Sequence, residues 1–196
     1  MYIENITGER FMEIILNTNL FTDEQKEQVV PQLEKLINSL VSSLNIVSLK
    51  QVIVPASFTE EIIAFQEIHN KLIKGHRTGE GGTAFAKVIT YNESTDFSQT
   101  IFLHEAFLTS LFSENESLAK NIVHYIHHEL GHVHDNFYTN NIFTPSLLNG
   151  SDVSRLQFLL QEHSDNIWSE YFANRTSFYT LTSDVLESAY ENVFIK

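Results

Sequence analysis

The stretch "HYIHHELGHVHD", residues 124–135, holds five of the nine histidines in the chain. It continues an apolar repeat of helical spacing, so the sequence predicts an amphipathic helix over residues 116–136. Residues four apart on a helix project from the same face, so His128 and His132 can bind one metal ion. Glu129 can reach a water on that ion without itself being a ligand. This HExxH arrangement predicts a zinc site with Glu129 as general base.

Two features of the predicted helix favour a metal site over an ordinary polar face. An apolar stripe places the motif on a half-buried helix, and its members are Leu118, Ile122, Ile126, Leu130 and Val133. Gly131 costs about 1 kcal/mol in a helix interior, which indicates that another backbone approaches there. We expect His124, His127 and His134 to be solvated or hydrogen bonded. The alternative, that no metal binds and the histidines form a polar helix face, stays open.

A catalytic zinc usually has three protein ligands, so a third ligand must come from elsewhere in the chain. Glu170 and Glu162 lie eight residues apart in a later helical segment, and spacing alone does not separate them. Small Ala173 near Glu170 would allow a close approach to the HExxH helix. Asn174 could then hydrogen bond a ligating histidine and orient it. We therefore favour Glu170 as the third ligand, with Glu162 as the runner-up.

The composition limits the classes of function. The 196 residues carry a formal net charge of −13, which argues against direct nucleic-acid binding and favours a basic partner. The chain contains no cysteine, so a metal must be held by nitrogen and oxygen ligands. We see no secretory signal and no apolar run long enough for a membrane span, and we expect a cytoplasmic protein. Residues 1–196 contain no obvious linker and predict one domain.

The coarse pattern of elements predicts an α+β fold, mostly helical with a small β-sheet and with the HExxH motif on a central helix. The chain is expected to open with a helix, a strand and a helix. A hairpin with strands 83–91 and 98–104 follows the glycine-rich stretch of residues 75–82, which we interpret as a mobile loop or a turn. Ser151 or Asp152 would cap the last helical region. Trp168 is expected in the core.

"HELGH" together with "EYFANR", residues 170–175, resembles the zincin metallopeptidases of gluzincin type, and most of all the ImmA/IrrE-type peptidases. The resemblance implies a compact zincin-like domain that binds one Zn²⁺ through His128, His132 and Glu170. It also implies that Glu129 is the base and that Asn174 supports the ligands. A sheet edge is expected above the motif helix, where a substrate strand can lie.

These patterns predict a zinc-dependent endopeptidase in which Glu129 takes a proton from a metal-bound water that attacks the peptide carbonyl. Candidate donors to the oxyanion are Tyr171, Tyr138, His163 and Arg175. The substrate would be a protein or peptide, and the resemblance implies a basic DNA-binding regulator as one candidate, which a strongly acidic chain would attract. The alternative is a non-catalytic, zinc-binding regulatory or interaction domain with a zincin fold.

Overall fold

The computed structural model describes residues 2–4, 10–69, 85–93, 96–112, 114–142, 155–181 and 183. Within these residues the strands are β1 (Tyr2–Glu4), β2 (Arg10–Leu16), β3 (Leu49–Val54), β4 (Ala86–Glu93) and β5 (Asp96–Leu103). The helices are α1 (Asp23–Leu40), α2 (Phe58–His69), α3 (Ala106–Leu111), α4 (Glu116–Ile142) and α5 (Arg155–Ser177), and a 3-10 helix follows at Phe178–Thr180. The predicted α+β class is confirmed.

The sheet is mixed and has the strand order β1-β2-β3-β5-β4. The inner pairs, β2 with β3 and β3 with β5, are parallel, whereas the outer pairs, β1 with β2 and β4 with β5, are antiparallel. The predicted hairpin is confirmed as β4 and β5; β4 lies two to three residues later than the predicted 83–91, and β5 lies one to two residues earlier than the predicted 98–104. Strand β4 lies at one edge of the described sheet.

Helices cover both faces of the sheet. On one face α1, α3 and α4 bury their apolar residues against the strands, while on the other face α2 packs on a smaller cluster around Phe102 and Ile62. The predicted stripe on α4 is buried from Ile122 through Val133, but Leu118 is 44% exposed and lies outside it. Because α4 packs directly on the sheet, it has the central position that the sequence predicted.

Several boundaries differ from the sequence prediction. The expected opening order is wrong, because β2 precedes α1 and pairs in parallel with β3. Thr22 caps α1 in a reciprocal capping box with Gln25, which fixes where this helix begins. Helix α4 continues to Ile142, six residues beyond its predicted end. The glycine-rich stretch at residues 75–82 and the predicted cap at residues 151–152 lie outside the described residues.

A buried glutamine joins α4 to the sheet. Gln99 on β5 is fully buried, and its amide nitrogen donates to the Val133 carbonyl on α4 and to the Ser48 hydroxyl, both at 2.8 Å. Its amide oxygen accepts from Asn136 of α4 at 3.1 Å. Buried polar groups need partners, so these bonds fix the position of α4 along the sheet one turn beyond the HExxH motif.

Replacing this glutamine should weaken the attachment of α4. We expect Gln99→Leu to lower the free energy of unfolding by about 1–3 kcal/mol, because the Asn136 amide and the Ser48 hydroxyl lose a buried partner. Urea unfolding followed by circular dichroism measures the change. The matched control is Gln51→Leu on β3, at a partly exposed position, which should change stability by less than about 0.5 kcal/mol. Equal effects of the two substitutions would contradict the role given to Gln99.

Candidate metal centre

Three side chains from two helices converge on one point. Nε2 of His128 and Nε2 of His132 lie 3.0 Å apart. One carboxylate oxygen of Glu170 lies 3.5 Å from Nε2 of His128, and the other lies 3.6 Å from Nε2 of His132. In a tetrahedral site with zinc–ligand bonds of about 2.0–2.1 Å, the ligand atoms are roughly 3.3 Å apart. Each oxygen of Glu170 lies near a different ring, and one candidate ligand atom from each of the three residues lies within 4.8 Å of the others, so the group could hold a metal ion.

The two helices that supply these ligands are antiparallel. The contacts between them run in opposite order along the chain: His124 of α4 lies beside Ser177 of α5, and Asp135 lies beside Trp168. Four residues separate the two histidines, so one helical turn places both rings on the face toward α5. Glu170 lies near the middle of this contact and reaches both rings.

A glycine allows the two helices to come this close. A Cβ atom added at Gly131 would lie 2.9 Å from the Cα of Ala173 and 3.2 Å from the Cβ of Thr176. Ala173 itself is fully buried. The close backbone approach that the sequence predicted at Gly131 is confirmed, and it occurs where Gly131, just before His132, meets Ala173, three residues after Glu170.

The ring of His132 is hydrogen bonded on the side away from His128. Its Nδ1 lies 2.9 Å from the hydroxyl of Ser169, which leaves Nε2 facing His128 and Glu170. Burial and the neighbouring His128 lower the pKa of His132, while Glu170 opposes them. The ring is therefore neutral at pH 7, which is the form that binds a metal.

The sequence prediction missed Ser169 and named Asn174 for this supporting role. Asn174 is exposed, and its backbone carbonyl accepts from the Ser177 hydroxyl at 3.3 Å. Its predicted contact with a ligating histidine stays a prediction. A hydroxyl directly before a candidate ligand leaves no distinctive spacing in the sequence, so only the crossing of the helices reveals Ser169.

Glu129 lies beside the ligand cluster and is held separately from it. The backbone N–H of Val88 on β4 donates to its carboxylate. Burial raises the pKa of Glu129 to about 7, and the neighbouring His128 and the Lys87 ammonium oppose the increase. A cation bound by the histidines would also favour the charged carboxylate. Glu129 therefore lies near the candidate site, and its carboxylate contacts the edge strand β4.

The runner-up ligand and the predicted oxyanion donors also lie on α4 and α5. Glu162 lies on α5 eight residues before Glu170, but its side chain is outside the described part of the chain. Tyr171 is exposed, and its hydroxyl accepts from Arg175 at 3.2 Å. His163 is also exposed, and Tyr138 packs on the ring of His134. Their role as oxyanion donors stays a prediction.

The other histidines of the opening stretch have structural contacts, as expected. Nδ1 of His124 lies 3.2 Å from the Ser177 carbonyl, and Nδ1 of His127 lies 3.2 Å from the Thr180 hydroxyl. His134 accepts from the backbone N–H of Asn45 at 2.7 Å. These three rings attach α4 to the end of α5, to the 3-10 helix and to the loop before β3.

Trp168 is 56% exposed, so its predicted place in the core is wrong. Its indole N–H donates to a carboxylate oxygen of Asp135 at 3.1 Å. The indole has a polar group that needs a partner, and on α5 it finds one at the surface of the helix pair.

Comparison with known proteins gives no family for this chain. No family model matches it, and neither a curated protein nor a solved structure matches it. Among the described helices, none has both the length and the apolar content that a membrane span requires. The function is therefore inferred from the residues and their geometry.

The contact at Gly131 provides a test of the helix pair. Gly131→Ala adds a methyl group that meets backbone atoms of α5, so α5 must shift and carry Glu170 away from the histidines. We expect zinc affinity to fall by about 10-fold or more. Alanine favours the helix by about 1 kcal/mol over glycine, but we expect the clash to cancel this gain in the free energy of unfolding. Isothermal titration with zinc and thermal unfolding measure the two effects.

The control for this test is Ser164→Ala, an exposed position on the same α5. It changes helix propensity without touching α4, so zinc affinity should equal that of the parent. Parental zinc affinity in Gly131→Ala would show that the close approach is not needed to place Glu170.

Proposed function

We propose that the protein is a zinc-dependent endopeptidase with a zincin-like fold. The observation that carries this proposal is the convergence of His128, His132 and Glu170, whose candidate ligand atoms lie within 4.8 Å of one another, with a second carboxylate, Glu129, placed beside them. A purely structural zinc site needs no such additional carboxylate. A hydrolase needs one to accept a proton.

The donor set suits zinc in a catalytic role. Two imidazoles and one carboxylate leave a fourth position for water or substrate, which is the usual arrangement in catalytic zinc sites. The same donor types also occur in non-haem iron(II) sites with open positions. The presence of Glu129 beside the cluster favours hydrolysis over oxygen chemistry, because it supplies a proton acceptor near the site.

Each residue of the site has a defined task in amide hydrolysis. When bound, zinc would supply a Lewis acid that lowers the pKa of water toward 7 and polarises the substrate carbonyl. Glu129 takes the proton from the attacking water and delivers it to the leaving amine. The Val88 N–H keeps the carboxylate of Glu129 in place during both transfers. His128, His132 and Glu170 hold the ion.

The sheet edge next to the site supports an extended peptide as the substrate. The backbone N–H of His104 donates to the carbonyl of Phe85, so these two residues form a hydrogen-bonded pair of the antiparallel ladder. Hydrogen-bonded and non-hydrogen-bonded pairs alternate along such a ladder, so Val88, which is paired with Ile101, points its backbone N–H away from β5. The outer side of β4 therefore faces the region of Glu129. An extended peptide can bind to such an edge through its main chain, whatever its sequence.

We further propose that the substrate is a protein and that a basic DNA-binding regulator is one candidate. The chain carries 25 acidic and 12 basic residues, and this excess would speed its encounter with a basic partner at low ionic strength. Direct binding to nucleic acid is not part of the proposal, since phosphate contacts depend on clustered lysine and arginine.

The experiment that tests the proposal compares hydrolysis of a fluorogenic peptide library by the zinc-loaded parent and by Glu129→Gln. We expect the parent to cleave and the variant to lose about 100- to 10,000-fold in kcat/KM, because the amide cannot accept the proton. Zinc content, measured by elemental analysis, should be the same in both proteins.

The matched control is Glu116→Gln at the exposed start of α4, which should retain parental activity. Undiminished cleavage by Glu129→Gln would contradict the assigned base. Stoichiometric zinc without cleavage of any library member or basic protein would instead favour the non-catalytic zinc-binding domain, and iron in place of zinc would contradict the hydrolase.

A further inference from the structure

A cavity lies between the C-terminal half of α4 and the N-terminal half of α5. Its volume is about 750 Å³, within the range of roughly 300–1,000 Å³ that is usual for ligand-binding sites. Its walls are mostly apolar, and the side chains that bear on its chemistry are Asp135, Tyr138, Asp165, Trp168, Ser169 and Phe172. The helix pair that supplies the candidate metal ligands therefore also forms a space large enough for part of a substrate.

The cavity borders the candidate metal centre. Ser169 lines the cavity, and its hydroxyl lies 2.9 Å from Nδ1 of His132. Asp135 lies three residues after His132, which is a rise of about 4.5 Å along α4. An extended peptide advances by about 3.3 Å per residue. A peptide cleaved at the metal centre would therefore bring a side chain within a few residues of the cleaved bond to this cavity.

The walls combine negative charge with aromatic surface. Asp135 is only 7% exposed, and its carboxylate accepts from the Trp168 indole at 3.1 Å. Asp165 lies three residues before Trp168 on the same face of α5 and is exposed. Tyr138 of α4 and Phe172 of α5 supply further aromatic surface. Among the described residues that line the cavity, none is a lysine or an arginine.

We propose that this cavity binds a basic side chain of the peptide substrate, with the positive end at Asp135 and Asp165. Lysine and arginine have an apolar stem that can lie along apolar walls, and a charged end that needs polar partners. Their cations also bind the faces of tryptophan and tyrosine. Arginine suits the cavity best, because its planar guanidinium both stacks on aromatic rings and pairs with carboxylates.

This inference rests on the proposed function, and it goes further by naming the side chain that the enzyme selects. A purely apolar side chain could contact the walls but would offer no counterion to the two carboxylates. A basic side chain satisfies both parts of the cavity. The selection would act beside the cleaved bond and is separate from the general attraction between an acidic chain and a basic protein.

The test compares fluorogenic peptides that differ at one position, where arginine is replaced by citrulline, which has nearly the same shape and no charge. The position is moved along the peptide in turn. At one position near the cleaved bond, we expect the zinc-loaded full chain to cleave the arginine peptide with a kcat/KM about 10-fold or more above that of the citrulline peptide. An acidic cavity gives no such preference to the uncharged side chain.

Two substitutions assign this preference to the cavity. Asp135→Asn keeps an oxygen that can accept from Trp168, and it should lower cleavage of the arginine peptide by about 10-fold or more. Asp165→Asn, at an exposed position, should lower it by about three- to fivefold. Cleavage of the citrulline peptide should stay within about twofold of the parent in both variants, because the charge that each variant loses has no partner on that peptide.

The matched control is Glu67→Gln on α2, an exposed position on the opposite face of the sheet. It removes one negative charge from the same total, so the preference for arginine should equal that of the parent. Thermal unfolding of Asp135→Asn shows whether the variant is folded, and Asp165→Asn tests the cavity at a position where the fold is not at risk.

Binding gives a second readout that does not depend on cleavage. Fluorescein-labelled forms of the two peptides are titrated with zinc-loaded Glu129→Gln and followed by fluorescence anisotropy. We expect the arginine peptide to bind about 10-fold more tightly than the citrulline peptide. Adding Asp135→Asn to this variant should remove most of the difference.

Equal cleavage and equal binding of the two peptides would overturn the proposal. A preference that survives both Asp135→Asn and Asp165→Asn, or that falls equally in Glu67→Gln, would also overturn it. Cleavage without the preference leaves the peptidase intact and removes only the basic subsite. A protein that binds the arginine peptide through Asp135 but cleaves no peptide supports the subsite and removes the peptidase.

Discussion

The close contact of α4 and α5 at Gly131 and Ala173 is the constraint on which the candidate metal centre depends. The two histidines come from one helix and the glutamate from the other, so their separations are set by the distance between the helices. At this crossing a Cβ on Gly131 would lie 2.9 Å from backbone of α5. Side chains of ordinary size would move Glu170 away from the histidines by more than a metal–ligand bond can absorb.

The sheet fixes the other side of the same helix. The side chain of Gln99 on β5 is hydrogen bonded to Val133 and to Asn136, one turn apart on α4. The backbone N–H of Val88 on β4 donates to the carboxylate of Glu129. The ligands therefore face α5, while the proposed base faces the edge strand. In the proposed enzyme this division would let one helix hold the ion with its α5-facing residues and direct a proton acceptor toward the edge strand, where a peptide would bind.

Much of the site was predictable from sequence because the relevant spacing is local. His128, Glu129 and His132 are related by one helical turn, and Gly131 costs stability unless something approaches it. Glu170 was favoured over Glu162 through small Ala173, and the structure brings Glu170 to both rings. Ser169 was missed because its contact with His132 depends on how two helices cross. The position of β2 and the exposure of Trp168 likewise depend on tertiary packing, which overrides local pattern.

The most direct test of the metal centre is the zinc content of the untagged full chain, measured by elemental analysis for the parent, Glu170→Ala and Glu162→Ala. We expect near-stoichiometric zinc in the parent and in Glu162→Ala. In Glu170→Ala we expect affinity to fall by more than about 100-fold, since a ligand is lost rather than a supporting group. Zinc retained in Glu170→Ala and lost in Glu162→Ala would contradict the ligand set, and a parent that neither carries nor binds zinc would contradict the metal centre itself.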